Sequence, residues 1–154
     1  MSILSSTDVT KELLSKSNTK NHRILSSSGN VSFGQLPHIN DNFPSGEIHL
    51  RLGFVGIGSA RTGAFGLRHI VEKHGPEIGI DDAAGAIEFI ELVLSAGAVI
   101  KLDGKGGTKP LVINSSHGMV ILEKKTPRDE AVHYSIITAY EKINYPGTIL
   151  GEMT

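Results

Sequence analysis

From Glu47 onward the hydrophobic and polar positions fall into order: Ile48, Leu50 and Leu52 alternate with Glu47, His49 and Arg51, the period of two of a half-buried strand. Gly53, Gly56, Gly58, Gly63 and Gly66 then punctuate a loop. A helix is predicted from about Thr62 or Ala64 to His74, ended by Gly75 and Pro76. A second helix follows Asp81, which can cap it. Asp82 is well placed against its dipole, Ile87, Ile90 and Leu94 form a buried face, and Gly97 closes it. Four more strand patterns follow: Ala98–Leu102, Leu111–Ser115, Met119–Lys124 and Val132–Glu141. Their connections are too short for crossover helices, so neighbours should pair antiparallel. Strict alternation in the last run puts Tyr134, Ile136, Thr138 and Tyr140 on one face and His133, Ser135, Ile137 and Ala139 on the other. The expected fold class is α+β, with N-terminal helices packed on a twisted antiparallel β-sheet of four to five strands.

The chain before Glu47 lacks this texture. Ten serines lie between positions 2 and 45, and apolar periodicity is confined to Val9, Leu13 and Leu14, consistent with one short helix from about Thr7 to Lys16. The expected organisation is a serine-rich leader or linker over residues 1–45, partly disordered, followed by one folded α+β domain over 46–154.

Composition narrows the classes of function. With no cysteine, disulfide frameworks, thiolate metal sites and cysteine nucleophiles are excluded. Fifteen Lys and Arg against sixteen Asp and Glu give a net charge of −1, so bulk attraction to nucleic acid is excluded. The total conceals an asymmetry. Lys101, Lys105, Lys109, Lys124, Lys125 and Arg128 face only Asp103 and Glu123 between positions 101 and 128, which leaves room for local contact with a polyanion, although lysines guarding a sheet edge give the same pattern. No apolar run approaches the ~20 residues that cross a bilayer, and no cationic start followed by an apolar run opens the sequence, so neither membrane anchor nor signal is expected.

The densest polar cluster is Arg68-His69-Ile70-Val71-Glu72-Lys73-His74. At about 100° per residue, His69 and Lys73 share a face opposite the apolar stripe, and His74 sits beside the stripe where it can look toward the sheet. A solvated His/Lys face explains this arrangement. So does general acid–base chemistry, because histidine titrates near neutrality and a neighbouring ammonium can hold phosphate. Zinc fails on spacing: His69 and His74 are five apart, not four, and no Glu follows His69. The glycines at 53, 56 and 58 do not complete a dinucleotide fingerprint, and Gly104-Lys-Gly-Gly-Thr-Lys109 lacks the ending of a phosphate-binding loop. No metal or cofactor is expected. The hydroxyls of Thr138 and Tyr140, two apart on the last strand, are ordinary strand formers that can also orient a substrate.

Taken together, the Ile48–Gly53 strand, the run Phe65-Gly-Leu-Arg-His-Ile-Val-Glu-Lys-His-Gly75 and a late strand with Thr138-Ala-Tyr140 resemble the barnase/EndoU/colicin/RelE-like (BECR) nuclease superfamily. The resemblance spans roughly residues 47–145 and is nearest to toxin domains at the C-termini of contact-dependent inhibition and other polymorphic toxins, with a phage-borne branch. It implies a metal-independent ribonuclease, often acting on transfer RNA, with its site between helix and sheet and a cognate immunity protein as partner. It carries catalytic roles onto His69 or His74 with Lys73, Thr138 and Tyr140, and substrate binding onto Arg68, Arg51 and, from the basic stretch, Lys101. It also implies delivery by a larger toxin, residues 1–45 serving entry, and action in the cytoplasm of the target cell. The glutamate–histidine pairing of barnase is not evident in these motifs. Two other classes stand beside this one: a non-catalytic RNA- or protein-binding module, and an ADP-ribosyltransferase with Arg51 and Ser115-Ser116 at a nicotinamide site. The latter lacks a Glu-x-Glu pair in its late strands.

Overall fold

The structure is a computed structural model that describes residues 3–102 and 111–154. The glycine-rich stretch 104–109, with Lys105 and Lys109, lies outside the described residues. The elements run β1 (Ile3–Leu4), a 3-10 turn (Ser6–Asp8), α1 (Lys11–Leu14), β2 (Arg23–Ile24), β3 (Ser32–Leu36) and β4 (Gly46–Arg51). A continuous helical segment follows, made of α2 (Gly66–His69), a π-helical turn (Ile70–His74) and α3 (Gly75–Ile78). Then come α4 (Ala83–Val93), β5 (Val99–Leu102), β6 (Leu111–Ser115), β7 (Gly118–Lys125), β8 (His133–Tyr140) and β9 (Thr148–Glu152).

This overturns the expected plan of helices on a four- to five-stranded antiparallel sheet. Among the described residues the sheet has nine strands in the order β1-β2-β4-β8-β7-β6-β5-β9, with β3 also on β4, and it is mixed, because β4 pairs parallel with β8 and β1 with β2. Among the described residues α4 is the only α-helix longer than four residues. The reason for the discrepancy is physical. β1 and β2 are two residues each, too short to show alternation, and β2 is held by register on β4 with Ile24 buried opposite Leu50. Residues 3–45 thus supply three strands and the core residues Val9, Ile24, Leu36 and Phe43. β9 is masked in the sequence by its weak pattern, Ile149 being 65% exposed while Leu150 packs inward.

β4 is central because it is paired on both edges, antiparallel to β2 and β3 on one side and parallel to β8 on the other. Ile48 and Leu50 of β4 join Tyr134, Ile136 and Ala139 of β8 and Val120 and Leu122 of β7 in one buried cluster. α4 adds Ala83, Ala86, Ile87, Ile90 and Val93 to that cluster, each fully buried large aliphatic contributing roughly 1.5–3 kcal/mol. Its cap is Asp82, which accepts from the Gly85 N–H, one residue later than the cap expected at Asp81.

A β-bulge corrects the alternation expected of β8. Leu122 faces Ile136, but Ile121 faces Thr138, so Ile137 is the extra residue. Opposed residues share a side of the sheet. Thr138 and Tyr140 are therefore turned away from Tyr134 and Ile136 and onto the side of Ser135 and His133, together with Glu123 and Lys125 of β7. The parallel register adds Glu47 and His49 of β4 to that side, opposite His133 and Ser135, and alternation adds Arg51 with its β2 partner Arg23. One side of the central strands is thus the core, and the other carries a continuous polar row.

Two glycines set the junction from β4 to α2. Gly53 and Gly66 both have φ near +80° (+82° and +78°), and a Cβ on Gly66 would lie 2.6 Å from the Arg51 carbonyl oxygen and 2.9 Å from Gly53 Cα. Only glycine allows the backbones this close. The Arg68 N–H then donates to the Leu52 carbonyl at 2.8 Å, which seats the helical segment against the end of β4. It packs there on the part of β8 that runs past the last β4 pairing at Ser135.

Candidate active site

The helical segment is regular for one turn only. From Ile70 the ladder shifts to π spacing, with the Gly75 N–H donating to the Ile70 carbonyl five residues back. This π turn brings a pair of residues five apart together, and such turns, rare in general, are frequent at functional sites. His69 and His74 are that pair: their ring centroids lie 5.3 Å apart in an edge-to-face contact. The wheel of an ideal α-helix instead groups His69 with Lys73. In the structure His69 is 7% exposed while Lys73 is exposed to solvent.

His74 is also 7% exposed and stacks on the Tyr140 ring at 4.9 Å and 23°. Its Nδ1 lies 3.1 Å from Glu77 Oε2, so the carboxylate takes the Nδ1 proton in a hydrogen bond and holds the ring orientation, leaving Nε2 as the other functional nitrogen. Two further atoms at this end of β8 are buried without a hydrogen-bond partner, His69 Nδ1 and Thr138 Oγ1. Buried polar atoms are ordinarily satisfied, and exceptions concentrate at sites that await a ligand. The structure therefore brings His69, His74 and Tyr140 into ring contact and sets Thr138 on the same sheet face as Tyr140.

Burial, reinforced by His74 and Lys73, pushes the His69 pKa down to about 4, so its ring is neutral at pH 7 and able to accept a proton. An unfolded chain would protonate this histidine near the ordinary value of 6.5. Between these values the unfolded state holds more protons. The stabilisation is thus complete above about pH 6.5 and is lost as pH falls toward 4, by on the order of 2–3 kcal/mol. Urea unfolding of the wild type should show this loss between pH 7 and 4.5, and His69→Gln should flatten it. An equal acid loss in both proteins would assign the acid sensitivity elsewhere.

The residues expected to bind substrate are separated by the fold. Arg68 is 1% exposed, and its guanidinium donates to Leu13 O (3.1 and 2.9 Å), to Gly53 O (3.1 Å) and to Asn18 O. Lys101 donates to Tyr145 O at 2.8 Å and to Asn114 Oδ1 at 3.2 Å. Both tie backbone segments together. Arg51, by contrast, lines an open cleft of about 370 Å³ with Lys20, Asn21, Phe65, Lys125 and Ser135.

Sequence reasoning missed a second pair of histidines. His49 and His133, on the parallel strands β4 and β8, stack with centroids 4.6 Å apart at 6% and 3% exposure. His49 Nε2 lies 2.9 Å from Glu47 Oε1, and both histidines line a cleft of about 500 Å³ with Arg23 and Glu130. The available signal was the alternation itself, since Glu47, His49 and Arg51 share a strand face. Their pairing with His133 depends on a parallel register between strands some eighty residues apart, which no local pattern reports.

Among the described residues no group of three or more His, Asp or Glu side chains is placed to hold a metal ion, and no helix is long and apolar enough to cross a membrane. A scan against protein-family models and searches of curated proteins and of solved structures find no match to this chain.

Proposed function

We propose that the chain is a metal-independent endoribonuclease whose acid–base pair is His69 and His74. The observation that supports this most directly is the π turn, in which two buried imidazoles meet edge to face and His74 stacks on Tyr140, with His69 Nδ1 and Thr138 Oγ1 lacking partners among the described residues. In the proposed reaction neutral His69 takes the proton of a ribose 2′-hydroxyl. The freed oxygen bonds to the adjacent phosphorus as the bond from phosphorus to the 5′-oxygen breaks, and that oxygen leaves with a proton from the protonated form of His74. Thr138 and Tyr140 orient the phosphoryl oxygens, and the exposed Lys73 adds positive charge to the same helical turn. The products are a 2′,3′-cyclic phosphate and a 5′-hydroxyl, and the requirement for a 2′-hydroxyl selects RNA over DNA.

Transfer RNA as target, an immunity protein as partner and action in the cytoplasm of a target cell rest on the sequence resemblance alone. The direct test of the reaction is incubation of purified protein with total RNA or a transfer RNA pool in excess EDTA. Fragments ending in a cyclic phosphate are expected. Intact RNA after incubation with folded protein overturns the reading, and RNA retained without cleavage assigns the chain to the binding-module class instead.

A further inference from the structure

Arg51 is an arginine without a counter-ion. Among the described residues it forms no ion pair. Its Nη1 reaches Asn21 Oδ1 at 3.4 Å, its Nη2 reaches His133 Nε2 at 3.4 Å, and its Nε is buried with no partner at all. Its register partner Arg23, by contrast, is held bidentate by Glu130 at 2.7 and 2.8 Å. Burial and the charge of Arg23 together lower the Arg51 pKa, against the opposing pull of Glu130, which is the electrostatic condition of a cation short of negative charge. The contact with His133 has one consistent reading. A guanidinium only donates, so His133 Nε2 accepts and its Nδ1 carries the proton, facing Ala131 O at 3.4 Å.

The surroundings add to the demand for an anion. The cleft that Arg51 lines holds Lys20 and Lys125 against a single carboxylate, Glu123, which Lys125 contacts at 2.7 Å. The stacked His49 and His133 line a separate neighbouring cleft that already holds the carboxylates Glu47 and Glu130, and the contact of Arg51 Nη2 with His133 Nε2 links the two. Arginine forks match phosphate oxygens in geometry as well as charge. Ser135, on the cleft wall, is in the same β8 row as Thr138 and Tyr140, roughly 15 Å of strand from the far end at about 3.3 Å per residue.

We propose that Arg51, with Lys20 and Ser135 of the same cleft, forms a phosphate-binding subsite that holds a backbone phosphate of a nucleic-acid strand lying along β8, remote from the His69–His74 end. The placement along β8 rests on the nuclease reading above; the capacity to bind phosphate does not. The substrate class that follows is a single strand several nucleotides long, since one nucleotide does not span the row.

Fluorescence anisotropy with a labelled all-2′-deoxy hexanucleotide tests the subsite without cleavage, because that probe lacks the attacking hydroxyl. Inorganic phosphate as competitor separates a simple anion site from a strand-binding one. Arg51→Gln is expected to weaken hexanucleotide binding by about tenfold or more, and Arg51→Lys, which keeps the charge but loses the fork, to weaken it less. Thermal melts of both variants confirm that folded protein is compared. Millimolar phosphate should displace the probe, whereas a labelled dinucleotide should bind more weakly than the hexamer. Unchanged hexanucleotide affinity in folded Arg51→Gln, or no binding by the wild type, overturns the proposal. Equal affinity for dinucleotide and hexamer overturns the path along β8. Arg51-dependent binding in a protein that leaves RNA intact supports the subsite while overturning the nuclease reading.

Discussion

Replacing His69 or His74 with alanine is expected to lower RNA cleavage by about 10²–10⁴-fold in folded protein that still binds the hexanucleotide through Arg51. The two losses should differ in their dependence on pH. In the proposed reaction His69 acts as the base only while neutral, and with its pKa pushed down to about 4 it stays neutral through the whole range in which an ordinary histidine titrates, so the acid limb of kcat/KM should lie well below pH 6. In the same proposal His74 delivers a proton to the leaving oxygen, and its orientation depends on Glu77 at 3.1 Å. Glu77→Gln removes the negative charge but keeps a hydrogen-bonding group. It should reduce cleavage less than His74→Ala, because the ring keeps a hydrogen-bonding partner at Nδ1. Lys73→Ala should have the smallest effect of the set, since the side chain is exposed and its charge is screened by salt. Full activity in folded His69→Ala and His74→Ala proteins would remove this pair from the mechanism and direct attention to His49 and His133.

What the sequence made legible was decided by length and by locality. β6 occupies Leu111–Ser115 and β8 lies within the run 132–141, where five or more consecutive strand-forming residues bounded by turn signals stand out from the chain. β1 and β2, two residues each, carry no such signal, and their burial follows from pairing rather than from pattern. Two single-residue irregularities then altered which side chains meet. The bulge at Ile137 moved Thr138 and Tyr140 to the polar face, and the π turn moved His69 from the side of Lys73 to the side of His74. Each inserts one residue into a period, and periodicity is the very signal by which faces are assigned. The residue types of the candidate site were thus visible in the sequence, while their grouping depended on local departures from ideal geometry.

Arg68 illustrates the same limit through stability, and its replacement has the second large expected effect. A motif that reads Arg-His-Ile-x-x-Lys-His invites a phosphate-binding role for its arginine, yet the guanidinium is 1% exposed and bridges the carbonyls of Leu13, Asn18 and Gly53. Those carbonyls belong to α1, to the chain leading into β2, and to the glycine turn that seats α2. One side chain therefore fastens the N-terminal segment to the junction of strand and helix. Burial lowers its pKa without neutralising it, so the carbonyls and the cation depend on one another. Arg68→Met should destabilise the protein by about 3–5 kcal/mol, the sum of stranded carbonyls and imperfect filling, a large share of a typical total of ~5–15 kcal/mol. Arg68→Lys should recover little, because one ammonium cannot reach three carbonyls held apart by a planar fork. Urea unfolding measures both variants, and limited proteolysis should show cleavage before residue 22 ahead of global unfolding. If Arg68 were instead a substrate ligand, Arg68→Lys would unfold at the wild-type urea concentration and lose only RNA affinity, an outcome that would return the residue to the active site.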